Sequence, residues 1–343
     1  MEITVKKEDI VSALNTTLGV VEKRQTLPIL ANVLFEVNEN TFKLTATDLE
    51  SEVTTSGPLS KLESSGKTTT SAKKLNELCR LIPDGEEINI SLNGDKLNIK
   101  TINGKYSLST LPSTDFPVFD IDSGDSPLVI SAKDLRELLR STSFAMGNQD
   151  WRHYLNGLYL SISGGEITAV TTDAHRLAVA NISTESGNSF SGIIPRKSIN
   201  EMAKFLSDED GNAELKINEA SLELVVGNLI FKSKLIDGKF PDYQQVIPSG
   251  ESSVLEINVK DFSETLSRVS VLSSEKYKGI RLITSNDGVR ISAQKASYII
   301  SLLALPLPVA YFLITVGGTE VKGCFTLCIL CFKSPVFSAT ERT

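Results

Sequence analysis

Hydrophobic and polar residues alternate along most of this chain, and short segments with helical spacing interrupt the alternation. Apolar side chains at Ile10, Leu14 and Leu18 recur every fourth residue, which predicts an amphipathic helix. The segments between such helices alternate with a period of two, as half-buried strands do. The chain is therefore predicted to mix helices and strands. Further helices are predicted near residues 71–80, 132–145, 196–206 and 259–269.

The order of these elements repeats along the chain. A strand, a lysine, an acidic residue and an amphipathic helix follow one another at Ile3, Val129 and Ile257, and the lysines lie 126 and then 127 positions apart. The segment A-T-D-L at Ala46 matches T-T-D-A at Thr171, 125 positions later. Because solenoid units are shorter than this period, the repetition indicates repeated domains.

Polar, turn-rich segments mark the predicted domain boundaries. The segments D-I-D-S-G-D-S-P at 120–127 and P-S-G-E-S-S at 248–253 are typical of linkers. Hairpin spacing with two helices per repeat predicts an α+β fold with antiparallel sheets. The predicted division is a first domain at 1–119, a second at 128–246, the start of an incomplete third at 254–294, and a divergent tail at 295–343.

The segment Gln149–Leu177 carries the most informative chemistry. An aromatic and basic loop, Q-D-W-R-H-Y, leads into a strand, a Gly164-Gly165 hairpin and a second strand that ends in T-D-A-H-R-L. Such a loop suits contact with phosphates and base faces. The mixed apolar and polar corner suits a docking pocket. Together they predict a protein that holds nucleic acid on one surface and partner proteins on another.

Composition and charge refine this picture. The chain has 343 residues, 41% of them hydrophobic and 22% charged, as in a globular protein of two or three domains. The N-terminus M-E-I-T-V-K-K lacks an apolar signal core, and the four cysteines do not form an evident disulfide framework. These features predict a cytoplasmic protein.

The net charge of −7 by itself argues against a nucleic-acid binder. The five predicted helices nevertheless carry +5 together, so the remaining residues carry −12. Basic residues on the solvated faces of helices explain this asymmetry in one interpretation. In the other, a helical surface faces a polyanion and the acidic exterior repels it. Charge alone leaves both open.

Several long strings resemble one known family in the right order. The chain over about residues 1–294 is similar to the bacterial sliding clamp, the β subunit of DNA polymerase III. The strings are T-L-P-I-L at 26–30, S-T-L-P-S-T-D-F-P at 109–117, Y-L-N-G at 154–157, T-D-A-H-R-L-A-V at 172–179, P-R-K at 195–197, S-K-L-I-D-G-K-F-P-D-Y at 233–243 and L-S-S-E-K-Y-K-G-I-R-L at 272–282.

The resemblance implies a homodimeric ring of three clamp domains per subunit around duplex DNA, with basic helices lining the hole. Such a ring performs no catalytic step and needs no cofactor or metal. It tethers a polymerase through phosphate contacts that do not depend on sequence. The implied partners are duplex DNA, the DNA polymerase III α subunit, the clamp loader and other clamp-motif proteins, with no membrane.

The resemblance also assigns site residues by position. Trp151 has two interpretations, a ring that stacks on a base or sugar and a half-buried anchor between domains. The implied DNA-binding residues are Arg24, Gln149, Arg152, His153, Tyr154 and Lys197. The implied partner-peptide pocket comprises Leu155, Thr172, Ala174, His175, Arg176, Leu177, Pro241 and Val246. The implied dimer interface includes Lys74, Lys105, Leu108 and Leu272.

The resemblance stops after Gln294. Only five of the 48 residues from 296 to 343 are charged, which favours a recombined or out-of-frame tail. Two alternatives are a tail anchor at Tyr298–Val316, against which Pro306 and Pro308 argue, and an iron–sulfur motif at Cys324-x3-Cys328-x2-Cys331. Because the acidic partners of Lys74 and Lys105 fall in the replaced region, we expect a monomer or a weak dimer.

Two other functions compete with the ring. A hydrolytic enzyme would use Asp173 and His175, which one intervening residue on a strand would place on the same face. No nucleophile elbow, metal cluster or phosphate-binding loop accompanies them. The third hypothesis is a defective clamp fragment that does not encircle DNA and acts only as a peptide-binding module.

Overall fold

The computed structural model describes most of the three repeats and a short segment of the tail. The described residues are 1–21, 27–119, 127–184, 189–206, 211–247, 257–272, 280–285, 288–293, 296–297 and 328–331. Both predicted linkers lie almost wholly outside these ranges, as do Arg24 and the candidate tail anchor. Within the described ranges, no helix is long and apolar enough to cross a membrane.

The first repeat (residues 1–119) has two helices, α1 (Lys7–Thr17) and α2 (Ala72–Arg80), which pack against each other. Glu8 and Asp9 favour the start of α1 because negative charge stabilises a helix N-terminus. The Ser71 hydroxyl accepts a hydrogen bond from the Lys74 amide and caps α2. The strands are β1 (Glu2–Lys6), β2 (Asn32–Asn38), β3 (Thr41–Thr47), β4 (Ser51–Pro58), β5 (Lys61–Ser64), β6 (Gly66–Ser71), β7 (Glu87–Asn93), β8 (Lys96–Lys100) and β9 (Lys105–Leu111).

The strands of the first repeat form two antiparallel stretches of sheet, in the orders β6-β2-β3-β4 and β9-β8-β7-β1-β5. Strand β9 joins the two, because Leu111 and Thr110 pair with Thr69 and Thr70 of β6. Alternate residues of β1, Ile3 and Val5, are fully buried, which matches the predicted period of two. They share one core with residues of α1, α2 and both stretches of sheet.

The second repeat (residues 127–247) follows the same plan. Its helices, α3 (Ala132–Ser143) and α4 (Arg196–Phe205), pack against each other. Gly164 and Gly165 adopt positive φ angles of 60° and 78° in the two-residue hairpin that the sequence predicts. The strands are β10 (Leu128–Ser131), β11 (Gly157–Ser163), β12 (Glu166–Thr172), β13 (Leu177–Ser183), β14 (Phe190–Pro195), β15 (Asn212–Ile217), β16 (Ser221–Val226) and β17 (Leu229–Lys234).

The two repeats match strand by strand except for β5, which has no counterpart among the described strands of the second repeat. The order β14-β11-β12-β13 of the second repeat corresponds to β6-β2-β3-β4 of the first, and β10-β15-β16-β17 corresponds to β1-β7-β8-β9. The α+β fold, the antiparallel sheets and the two helices per repeat are therefore confirmed for these two repeats. The predicted positions of all five helices are confirmed within one or two residues.

Strand pairing and a shared core join the first repeat to the second. β17 pairs antiparallel with β4, with Leu229 opposite Thr55 and Phe231 opposite Val53, so one sheet runs through both repeats. Val20 and Ala46 of the first repeat belong to the same buried cluster as Phe231. Full burial of each large apolar side chain contributes about 1.5–3 kcal/mol, which makes this junction a stable one.

The described part of the third repeat is smaller. Helix α5 (Val259–Ser270) packs on β19 (Gly288–Ala293), which pairs with β18 (Ile280–Ser285) and β20 (Ala296–Ser297). The Asn258 side chain caps α5 by accepting hydrogen bonds from two backbone amides. Phe262, Val269 and Ile291 belong to its small buried core. Further along the tail, the described strand β21 (Cys328–Cys331) pairs parallel with β13 of the second repeat.

Candidate nucleic-acid and partner-binding surfaces

A hydrogen-bonded turn connects β12 to β13 in the second repeat. The Thr172 hydroxyl donates to the Arg176 carbonyl at 2.7 Å and accepts from the Ala174 amide at 3.0 Å. One carboxylate oxygen of Asp173 accepts from the amides of His175 and Arg176, each at 3.0 Å. Its other oxygen accepts from the Arg176 guanidinium, also at 3.0 Å. The corner of the predicted pocket is therefore held by its own side chains.

The same turn occurs between β3 and β4 of the first repeat. Thr47 accepts from the Leu49 amide at 3.1 Å, and Asp48 accepts from the amides of Glu50 and Ser51 at 3.0 and 2.6 Å. Leu49 has a φ of 74° and Ala174, its counterpart in the second repeat, has a φ of 70°. Side-chain-bearing residues rarely adopt this conformation, so its occurrence at equivalent positions supports the internal repeat.

This turn removes the basis of the enzyme hypothesis. The prediction that Asp173 and His175 share one face of a strand was wrong, because both lie in the turn between Thr172 and Leu177. Burial alone raises the pKa of Asp173, but the hydrogen bonds from the amides of His175 and Arg176 outweigh burial and hold that pKa below its usual range. An ionised, fully engaged carboxylate serves the turn and is a poor base.

An apolar cluster lies beside this turn. Leu177 and Phe240 are buried in it, and Tyr159 and Tyr243 pack against them. The rings of Tyr159 and Phe240 stack with centroids 5.0 Å apart. Sequence reasoning missed Tyr159, Phe240 and Tyr243 as members of this surface. The dipeptide Phe-Pro occurs at 116–117 in the first repeat and at 240–241 in the second, and this recurrence could have indicated Phe240.

The predicted pocket residues divide into two groups. Leu155 is only 1% exposed, so its side chain lies in the core and is not accessible to a peptide. Leu177, at 5% exposed, forms the floor of the apolar cluster. Arg176 lies over the Phe144 ring at 5.9 Å while paired with Asp173, which fixes its direction. The remaining predicted residues are half-buried or exposed at the surface: Thr172, Ala174, His175, Pro241 and Val246.

The aromatic and basic loop is fixed at both ends. The Asn156 side chain accepts from the Asp150 amide at 2.9 Å and donates to the Asp150 carbonyl at 2.8 Å. The Gly147 amide donates to the Leu155 carbonyl at 2.8 Å. Arg196, the first residue of α4, donates to the Gly147 carbonyl at 3.1 Å. The loop is therefore tied to α4 as well as to itself.

The side chains at the tip of this loop differ in their availability. Trp151 is 82% exposed, so the half-buried interpretation is wrong. Gln149 and His153 are also exposed. Arg152 forms two hydrogen bonds with the Asp150 carboxylate, at 3.0 and 2.9 Å, and these together with the Arg152 amide lower the pKa of Asp150 to about 2. A phosphate must therefore compete with Asp150 for Arg152.

The remaining predicted DNA-binding residues have protein contacts of their own. Tyr154 packs against the apolar cluster of Leu177 and Phe240. Lys197 on α4 donates to the Asp48 carboxylate of the first repeat at 2.5 Å. Burial raises the pKa of Asp48, but the bond from Lys197 and bonds from backbone amides outweigh it and keep that pKa below its usual range. Lys197 therefore also connects the two repeats.

The predicted dimer-interface residues lie on three separate elements. Lys74 is exposed on α2, and Lys105 is exposed at the start of β9 with half-buried Leu108 on the same strand. Leu272, just after α5, is 41% exposed. Among the described residues, no group of three or more His, Cys, Asp or Glu side chains is arranged to hold a metal ion.

Comparison with known proteins identifies the family. Models of the N-terminal, central and C-terminal domains of the DNA polymerase III beta subunit match residues 1–120, 129–242 and 244–298. The beta sliding clamp of Pseudomonas aeruginosa is 39% identical over 295 residues, which cover 85% of this chain and 80% of that protein. The chain belongs to the DNA polymerase III beta subunit family.

Other members of the family agree in sequence and in structure. The beta sliding clamp of Escherichia coli K12 is 36% identical over 294 residues, again 85% of this chain and 80% of that protein. The crystal structure of the Pseudomonas aeruginosa beta subunit superposes with a TM-score of 0.82 at 39% identity, over 85% of this chain and 80% of that chain. The Caulobacter crescentus beta subunit gives 0.79 at 31% identity, over 87% and 82%. The three-domain clamp fold is therefore shown, and the tail beyond residue 298 lies outside the matching domain models.

Proposed function

We propose that this chain is a non-catalytic processivity factor, a sliding-clamp subunit that holds duplex DNA without reading its sequence and tethers a replicative polymerase to it. The observation that carries the proposal is the continuous sheet through the first two repeats, which joins the repeats that carry the helix pairs α1–α2 and α3–α4. We place the protein in the cytoplasm, as its sequence predicts. The proposed domains are residues 1–119, 128–246 and 254–294.

The proposed DNA contacts are sequence-independent. Exposed Gln149, Trp151 and His153 can meet sugars, bases and phosphates at the loop tip. Exposed cations on the paired helices, such as Lys133 and Arg140 of α3, add long-range attraction for a polyanion. Arg24, Arg152, Tyr154 and Lys197 stay in the proposed set, and Arg152 and Lys197 contribute to the extent that phosphate displaces their carboxylate partners.

The proposed partner surface is the apolar cluster beside the Thr172–Leu177 turn. An apolar peptide side chain would contact Leu177, Phe240 and the exposed Val246, while Arg176 and His175 would meet the peptide backbone. The predicted occupants are short segments of the polymerase α subunit, the clamp loader and other clamp-motif proteins. A fluorescent peptide with adjacent Leu and Phe residues should bind the wild type more tightly than Arg176→Ala.

One observation favours a second candidate function. The family match ends at residue 298, and the edge of β13 carries the tail strand β21. A chain whose ring does not close would act only as a peptide-binding module. For the same reason we propose that Lys74, Lys105, Leu108 and Leu272 form a weak seam. Light scattering at several concentrations should give a monomer or a mass that rises with concentration, and a stable dimer would contradict the weak seam.

Retention on circular DNA separates the two candidates. Labelled protein is mixed with clamp loader, ATP and either a nicked circular plasmid or the same plasmid cut once, and both mixtures are filtered through a sizing column at moderate salt. A clamp should elute with the circle and be lost from the cut plasmid, because it slides off the ends. Equal loss from both plasmids, with peptide binding intact, would favour the peptide-binding module.

A further inference from the structure

Strand β13 is the counterpart in the second repeat of strand β4 in the first. Each begins after a Thr-Asp turn, at Ser51 and at Leu177, and each pairs antiparallel with the strand before that turn. Each is the last strand of its own repeat in the orders β6-β2-β3-β4 and β14-β11-β12-β13. Both therefore present an outer edge with unpaired backbone groups that needs a further strand.

The outer edge of β4 is covered by the next repeat. β17 pairs with it over five residues, from Leu229 opposite Thr55 to Ser233 opposite Ser51. The equivalent edge of β13 would need the matching strand of the third repeat. The described strands of the third repeat, β18, β19 and β20, form a sheet of their own and do not reach β13.

A segment of the tail lies on that edge instead. β21 pairs parallel with β13, with Leu177 opposite Cys328 and Ala180 opposite Cys331. Its sequence, C-I-L-C, has no charge, which suits a strand beside the buried residues Leu177, Ala178 and Ala180. Parallel pairing satisfies backbone donors and acceptors along the edge nearly as well as antiparallel pairing.

We propose that Cys328–Cys331 is an edge strand supplied in cis, which covers β13 in place of a strand from the third repeat. One edge has a single row of donors and acceptors, so a bound tail strand excludes any other strand from β13. The pairing starts at Leu177, the buried residue that also forms the floor of the partner surface. The tail therefore closes an edge that would otherwise pair with other chains, and it borders the site where partner peptides are proposed to dock.

Site-directed disulfide formation tests the register of this pairing in the full-length chain. Neighbouring strands lie about 4.8 Å apart, within the Cα separations that disulfides span. Ala180→Cys places a thiol opposite Cys331, whereas the matched control Ala178→Cys is opposite Ile329. After mild oxidation and thiol blocking, tryptic digestion should yield peptide 177–196 joined to peptide 323–333, with the bond located by fragmentation.

The expected result is a bond from residue 180 to Cys331 within one chain, formed at least tenfold more than any bond in the Ala178→Cys control. Equal yields in the two variants, no bond in a folded Ala180→Cys protein, or a bond only between two chains would each overturn the proposal. The between-chain result would mean that the edge takes a strand from a second copy.

Hydrogen exchange gives a second test that needs no disulfide, and it decides alone if Ala180→Cys does not fold. Leu330→Pro in the full-length chain removes a backbone donor and disfavours the strand. The amides of β13 should then exchange about tenfold faster, as expected for one or two lost hydrogen bonds. The amides of β4 should be unchanged and serve as the internal control. Unchanged exchange in β13 would overturn the proposal.

Discussion

Replacing Asp173 with alanine should destabilise the second repeat, because this carboxylate holds the turn between β12 and β13. Its oxygens accept three hydrogen bonds at 3.0 Å, two from the amides of His175 and Arg176 and one from the Arg176 guanidinium. Each backbone bond contributes about 1 kcal/mol, and the half-exposed ion pair contributes about 0–1 kcal/mol. Asp173→Ala should therefore cost about 2 kcal/mol.

Calorimetry provides the measurement, and asparagine provides the control. A loss of about 2 kcal/mol in a repeat of about 120 residues lowers the melting temperature by roughly 8 °C, because unfolding gains about 2.1 cal/mol/K of entropy per residue. Asp173→Asn keeps an oxygen that accepts both amides but loses the charge and the oxygen that accepts the Arg176 guanidinium. That pair contributes about 0–1 kcal/mol, so the melting temperature should fall by no more than about 4 °C. If Asp173→Ala melts at the same temperature as the wild type, the carboxylate does not hold the turn. If Asp173→Asn falls as far as Asp173→Ala, the ion pair with Arg176 is the main contribution and the reasoning is wrong.

Three further predictions concern other parts of the molecule. A Cβ on residue 147 would lie 2.9 Å from the Leu155 carbonyl oxygen, so Gly147→Ala should lower the melting temperature and weaken duplex binding, and unchanged binding would contradict the role of the loop. Lys197→Met should cost about 1.5 kcal/mol at pH 7. Because the pKa of Asp48 is lowered on folding, this stabilisation is present above pH 4 and is lost as the pH falls further, so wild type and variant should converge in acid unfolding. Burial raises the pKa of the Cys79 thiol to about 12, so mass spectrometry should find Cys79 unalkylated by iodoacetamide at pH 8 until the protein unfolds.

Local patterns in the sequence were sufficient for the elements and the repeat. Apolar spacing placed the five helices, and the shared period of about 126 residues gave two repeats with matching strand orders. Asp48 and Asp173 lie 125 positions apart, close to the repeat period. This spacing marked them as equivalent positions without revealing their role. In such a turn the side-chain oxygen accepts hydrogen bonds from the amides two and three residues later. Asp residues commonly do this, so the turn could have been predicted from Thr-Asp alone.

Contacts between distant residues were beyond these patterns. No local signal shows that Asp48 pairs with Lys197 or that Tyr154 packs beside Phe240. Each contact depends on how separate strands and helices are brought together. The same holds for Leu155, which reads as a surface position next to the aromatic loop but is buried where that loop returns to the core.

The central claim, that this chain holds duplex DNA without reading its sequence, is tested most directly by fluorescence anisotropy. Two duplexes of equal length and unrelated sequence are titrated with the protein at several salt concentrations. The two should bind with the same affinity within about twofold, and the logarithm of the association constant should fall linearly with the logarithm of the salt concentration. A strong preference for one duplex, or binding that salt does not weaken, would contradict the account.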